Sequence, residues 1–254
     1  MSKSNDTIKK TFIVAFILCL VCSVIVSGAA VSLKPLQQAN QELDRRTNIL
    51  LAAGLIEPDE VTREKVEELF AQINVRVVDL RTGELTDAVN PDTYNQVKAA
   101  SDPAMSTALQ NDPAGIRRLE QYGIVYLVGD VNNPDRIILP VRGAGLWSTL
   151  HGFLALEGDA NTIAGLGFHD HAETPGLGGE VDNPNWKAQW PGKQVYNEGS
   201  QEPQLGLSKS PDQEHEVDAL SGATLTSRGV TNLLQFWTSE RGYGSFLAKF
   251  RQGV

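Results

Sequence analysis

Thr11–Val31 is an uncharged, largely apolar stretch of about 21 residues, and no other feature limits the fold of this chain so strongly. A helix of that length spans the hydrocarbon core of a bilayer. Lys9 and Lys10 precede it. By the positive-inside rule they predict a cytoplasmic N-terminus over residues 1–10, a transmembrane helix over 11–31 and a body on the far side of the membrane. A cleaved signal peptide is the rival reading, because Ser27-Gly28-Ala29-Ala30 is small enough for a cleavage site. The apolar core from Phe12 to Val26 is at the upper limit for such a peptide and the apolar run continues past it, so an uncleaved anchor is expected. Cys19 and Cys22, the only cysteines, both lie inside the run. They read as small apolar residues, which leaves the body without a disulfide, a cysteine metal site or an iron–sulfur ligand set. The span carries no charged group, so no ion pathway through this chain is expected.

Charge separates the two parts. The chain is −9 overall, but residues 1–34 hold four lysines against one aspartate, which leaves −12 on the rest. An acidic body argues against nucleic acid or an anionic membrane surface as a partner. Lys34-Pro35 opens a second helical segment with Leu36, Ala39, Leu43 and Leu50 on one face and Gly54 as its stop, read as a stalk. A helix over Thr62–Ile73 and a strand over Val75–Leu80 follow. Residues 90–118, rich in Pro, Asn, Asp and Ala, read as loop with one helical turn at most. Strands at Tyr122–Val128, Arg136–Arg142, Leu150–Leu156 and Thr162–Phe168 have hairpin spacings, which predicts an antiparallel sheet. Helices over Leu225–Ser239 and Gly244–Arg251 close the chain. The fold class is α+β: one N-terminal transmembrane helix, then a mostly antiparallel sheet with flanking helices. Residues 32–121 form the stalk and the first part of the body, and 122–254 a second part.

The chemistry concentrates near the C-terminus. Glu216–Leu220 reads as a short strand, Ser221-Gly222-Ala223 as a tight small-residue turn, and Thr224-Leu225-Thr226-Ser227 as the start of a helix. Gly222 and Ala223 allow close approach to the backbone, and a helix N-terminus suits a phosphate. The plainer alternative is a hydroxyl N-cap. Gly143-x-Gly145 lacks the third glycine and the βαβ unit of a dinucleotide fingerprint. Trp147 offers either a flat binding face or a buried core side chain. His169, His171 and Glu173 alternate as a formal metal-ligand set, though with no fourth ligand evident. A Ser/His/acid hydrolase finds no Gly-x-Ser-x-Gly elbow around Ser221 or Ser227.

Ser221-Gly222-Ala223-Thr224-Leu225-Thr226 resembles the flavinylation motif of the FMN-binding domain family. Leu139-Pro140-Val141-x-Gly143-x-Gly145-Leu146-Trp147 and His171-Ala172-Glu173-Thr174-Pro175-Gly176-Leu177-Gly178 resemble two further patterns of that family. The resemblance implies FMN held as a phosphoester on the hydroxyl of Thr226, with Ser221, Gly222, Ala223, Thr224 and Leu225 around the phosphate. It implies a flavin ring against Gly145, Leu146 and Trp147, and a loop of Glu173, Thr174, Gly176, Leu177 and Gly178 lying along it. In that reading Glu173 and Thr174 hydrogen-bond the ring or ribityl chain, and residues 122–254 are the FMN-binding domain. Lys209 is added because its segment leads into the motif strand. Family members serve membrane complexes of the Na⁺-translocating NADH:quinone oxidoreductase type and of the related Rnf type, in bacterial inner membranes with the main domain periplasmic. The resemblance therefore implies an electron carrier, not the component that oxidises NADH. Its partners would be the other members of a complex of six subunits, with a flavin transferase acting during maturation. A non-redox anchored interaction domain is the reading left if the turn is only a cap.

Overall fold

A computed structural model describes residues 7–251. The expected cytoplasmic N-terminus thus lies partly, at residues 1–6, outside the described residues. The chain forms two compact units, one up to Asp44 and one from Arg45 onward.

The first unit is helical. Helix α1 runs without interruption over Ile8–Ala52, so its last turns belong to the second unit. The expected break ahead of Pro35 does not occur. Proline withholds one backbone donor and crowds the carbonyl four residues back. Ending one helix and starting another would instead leave about four carbonyls and four N–H groups without partners. With helix formers on both sides, running through the proline costs less than stopping. Residues 7–40 are exposed throughout, and α1 is long and apolar enough to cross a membrane.

In the second unit α1 ends in a Schellman arrangement, Gly54 N–H donating to Leu51 O (3.1 Å) and Leu55 N–H to Leu50 O (2.9 Å). Ile49, Leu50 and Ala52 are buried. Helix α2 (Arg63–Phe70) starts on Thr62, whose hydroxyl accepts from Lys65 N–H. It is shorter than expected because Ile73 belongs to the next strand, β1 (Ile73–Asp79). β2 (Glu84–Leu85) pairs with it. The segment expected as loop contains helix α3 (Gln96–Ser101) and strands β3 (Ser106–Ala108) and β4 (Arg118–Glu120), which pair with each other. Then come β5 (Tyr122–Gly129), β6 (Pro134–Ala144), β7 (Thr149–Glu157) and β8 (Ile163–Asp170). The main sheet has the order β2-β1-β5-β6-β7-β8, antiparallel at every step. After a short helix, α4 (Pro184–Lys187), strands β9 (Gly206–Ser208) and β10 (Glu216–Asp218) form a separate parallel pair. Helices α5 (Thr224–Thr238) and α6 (Gly244–Arg251) complete the chain.

Helix α5 lies on β6. Ile137, Leu139 and Val141 point into the main core with Val230, Leu233, Leu234 and Trp237, as a two-residue period on a strand and a 3.6-residue period on a helix require. Trp237 Nε1 donates to Arg142 O at 2.7 Å. Gly229 lets the first turns of α5 press on the end of β6, because a Cβ there would stand 2.2 Å from Ala144 O. Arg142 turns its guanidinium to buried Glu120 in a bidentate pair (2.7 and 2.5 Å). Gln96 Nε2 donates to the same carboxylate (2.6 Å), and Gln96 Oε1 accepts from Ile124 N–H (2.9 Å). Buried charges this well paired are costly to break from one side. Arg142→Met should lower the unfolding free energy by about 3–5 kcal/mol, read from the urea midpoint by tryptophan fluorescence. Truncating the exposed pair Lys65–Glu60 (2.8 Å) should leave the urea midpoint essentially unchanged.

Candidate functional site

Three segments meet at the start of α5. The first is the turn between β10 and α5. Ser221 and Gly222 form it, with Gly222 at φ +71° beside Leu177. The N-cap of α5 is Ala223, and no side chain caps it. Ser227 is bound internally instead: its hydroxyl donates to Ala223 O and accepts from Leu220 N–H, each at 3.0 Å. The cap reading of the hydroxyls therefore fails at this helix. The second segment is the tight bend between β6 and β7, where Gly145 N–H donates to Ser148 O at 2.7 Å. The third follows β8, where Leu177 N–H and Gly179 N–H both donate to Thr174 O. Ser148 Oγ ties the second to the third by accepting from Ala172 N–H at 2.7 Å.

Glu173 joins all three. Its Oε1 accepts from Trp147 N–H at 2.9 Å, and its Oε2 accepts from the hydroxyl of Thr226 at 2.5 Å. Both Glu173 and Thr226 are buried. Burial alone pushes this carboxyl up. The Thr226 hydroxyl and the backbone of Trp147, Leu146 and Ser148 outweigh it and hold Glu173 below the ordinary carboxylate range. Gly178 has to be bare, because a Cβ there would sit 2.6 Å from both Thr226 Oγ1 and Glu173 Oε2. Glu173 was expected to reach a ligand, and its carboxylate is turned inward onto Thr226.

The apolar members point outward. Leu146, Trp147, Leu177 and Leu225 are four of the seven large apolar side chains that stand exposed beyond α1 among the described residues. Trp147 is 69% exposed, which rules out the buried-core reading. These four exposed apolar side chains belong to the three segments that meet at this helix start, and exposed large apolar side chains gathered at one site mark a binding surface. Thr174 and Gly176 are exposed on the same turn as Leu177. The other predicted residues are divided between two clefts. Gly145, Leu146 and Trp147 line one with Gly115 and Arg117. Ser221, Gly222, Thr224 and Lys209 line the other with Arg228. Arg228 escaped sequence reasoning, although its place two residues after Thr226, just past the first turn of α5, was a usable signal. Gly229 also escaped it, since its role depends on Ala144 across the packing interface.

The formal metal set is dispersed. His169 stacks on Phe153 (ring centroids 5.1 Å apart), His171 Nε2 lies 2.8 Å from Asp182 Oδ2, and Glu173 faces Thr226. Among the described residues no three His, Cys, Asp or Glu side chains gather as a metal site.

The sheet, the helix crossing it and the small-residue turn at that helix's start are those of an FMN-binding domain protein, and the FMN-binding domain family matches residues 145–239. The chain is 51% identical to the NqrC component of the Na⁺-translocating NADH-quinone reductase of Pseudomonas aeruginosa, over 98% of both chains. It is 48% identical to the corresponding component in Vibrio vulnificus, again over 98% of both. It superposes on the crystal structure of Shewanella oneidensis NqrC with a TM-score of 0.72 at 32% identity, covering 84% of this chain and 97% of that one. The crystal structure of the same component from Parabacteroides distasonis gives 0.66 at 27%, covering 85% and 96%. This chain belongs to the NqrC family of Na⁺-translocating NADH-quinone reductase subunits.

Gly178→Ala should destabilise the protein by about 1–3 kcal/mol through overpacking against Thr226 and Glu173, seen as a lowered Tm. The sign of the pH effect at Glu173 follows from its depressed folded value. The ionised group contributes stability above the ordinary carboxylate range, and that contribution is lost as pH falls through the folded value. Wild type should therefore exceed Glu173→Gln in urea midpoint at about pH 7, and the difference should shrink as pH falls through the depressed folded value of Glu173.

Proposed function

We propose that this chain carries FMN as a phosphoester on Thr226 and relays electrons inside a membrane complex that couples NADH oxidation and quinone reduction to Na⁺ export. The observation that carries the reading is the conjunction at the start of α5. A hydroxyl sits in the first turn of a helix with no side-chain cap, and exposed Leu146, Trp147, Leu177 and Leu225 surround it. These residues fit the group. The helix start and the cations Lys209 and Arg228 in the adjoining cleft suit a phosphate, and the apolar four suit a flat aromatic ring. Thr174 and Gly176, exposed on the turn that carries Leu177, suit the ribityl chain. FMN supplies one- and two-electron redox chemistry; the protein's part is to hold and orient it and to shape its surroundings.

Thr226 Oγ1 lies directly under Gly178, so loading the site requires the 174–178 turn to lift from the hydroxyl. Gly176, with open space about its Cα, is the pivot for that movement. A covalent tether keeps the cofactor outside the cytoplasm irrespective of its affinity. In the same reading Thr11–Val31 spans the inner membrane once with the N-terminus cytoplasmic, the main domain is periplasmic, and residues 122–254 form the FMN-binding domain. The partners are the other members of an assembly of six subunits, and a flavin transferase loads Thr226.

The test is in-gel flavin fluorescence after SDS denaturation, in a host that has the transferase. A fluorescent wild-type band and a dark Thr226→Ala band are expected. A dark wild-type band, with the transferase active on a control substrate, would sink the proposal.

A further inference from the structure

The covalent reading leaves one group at the site without a task. Glu173 is buried, ionised and in hydrogen-bond contact with the atom that would be esterified. A carboxylate held there costs desolvation, which hydrogen bonds from the Thr226 hydroxyl and the 146–148 backbone outweigh, so it stays ionised and able to take a proton. Its second oxygen is fixed by Trp147 N–H, so Oε2 is aimed at Thr226 Oγ1 and not free to swing. An alcohol is a weak nucleophile at neutral pH and needs a base on its proton as it attacks.

We propose that Glu173 is the general base that this protein itself supplies for loading its own Thr226. The inference rests on the covalent reading above. Flavin adenine dinucleotide, presented by a transferase, is the co-substrate. Thr226 Oγ1 forms a bond to the flavin-side phosphorus. The bond from that phosphorus to the bridging oxygen breaks, and AMP leaves with the electron pair. The hydroxyl proton passes to Glu173 Oε2 and from there to water. Nothing is oxidised or reduced. The geometry satisfies the first requirement of a base, hydrogen-bond distance to the proton it removes. It also explains why the carboxylate faces inward while the apolar members of the same segment face outward. The acceptor protein is then more than a passive substrate, and a threonine presented without such a partner is a poor acceptor.

Attachment is read as the rate of appearance of covalent flavin, by in-gel fluorescence and intact mass, on full-length apoprotein with purified transferase and FAD. Glu173→Gln keeps a carbonyl oxygen for Trp147 N–H and should slow attachment about 100-fold or more, while Glu173→Asp recovers part of the rate. Attachment to Glu173→Gln at the wild-type rate would overturn the proposal and leave Thr226 as the acceptor. A wild type that takes no flavin, beside a labelled control substrate, would remove the covalent reading itself. Should Glu173→Gln lose its near-UV circular dichroism, wild type decides under enzyme-saturated conditions. A slower rate in D₂O than in H₂O is expected, and equal rates would overturn the assignment.

Discussion

The carboxylate of Glu173 is the constraint on which the site depends. Three segments far apart in the chain converge on its two oxygens, through Trp147 N–H and the Thr226 hydroxyl. Everything near it is sized around that convergence. Gly178 is bare because the pair leaves no room for a methyl group, and Gly145 lies close to the other oxygen. Ser148 pins the β6–β7 bend to the segment carrying Glu173. The result is a rigid polar knot beneath a surface that exposes Leu146, Trp147, Leu177 and Leu225. Buried polar groups this fully paired fix one arrangement where apolar contacts alone would tolerate several.

The knot is held in turn by the packing of α5 on β6. The same strand that presents the bend carries Arg142 two residues before Ala144, and Arg142 anchors the opposite side through Glu120, Gln96 and Tyr243.

Much of this was legible in the sequence, and the division is physical. Periodicity placed the four central strands, α5 and α6 within a few residues, because alternation on a strand and apolar spacing on a helix are local properties. The turn at Ser221–Ala223 was readable for the same reason. The contact between Thr226 and Glu173 spans 53 positions and the pair Arg142–Glu120 spans 22, so no local pattern encodes them. Family resemblance named Glu173 as a site residue, but only the fold shows which way its carboxylate turns. Pro35 misled for a different reason. Its local penalty is real, yet a long helix with good formers on both sides absorbs it. Short β3 and β4 were missed because three-residue strands carry too little alternation to register.

The continuous α1 has a consequence for how the second unit can be separated from the exposed residues that precede it. Ile49 and Leu50, at the helix's end, are fully enclosed within the second unit, and Arg45 Nη1 donates to Tyr126 OH at 3.1 Å. The helix end is therefore a wall of the second unit. A protease cutting within the exposed turns between residues 32 and 40 would leave the second unit intact. A cut a few turns later, near Gly54 where sequence alone would place the end of a stalk, would strip the buried side chains of Ile49, Leu50, Ala52 and Ala53 from the core.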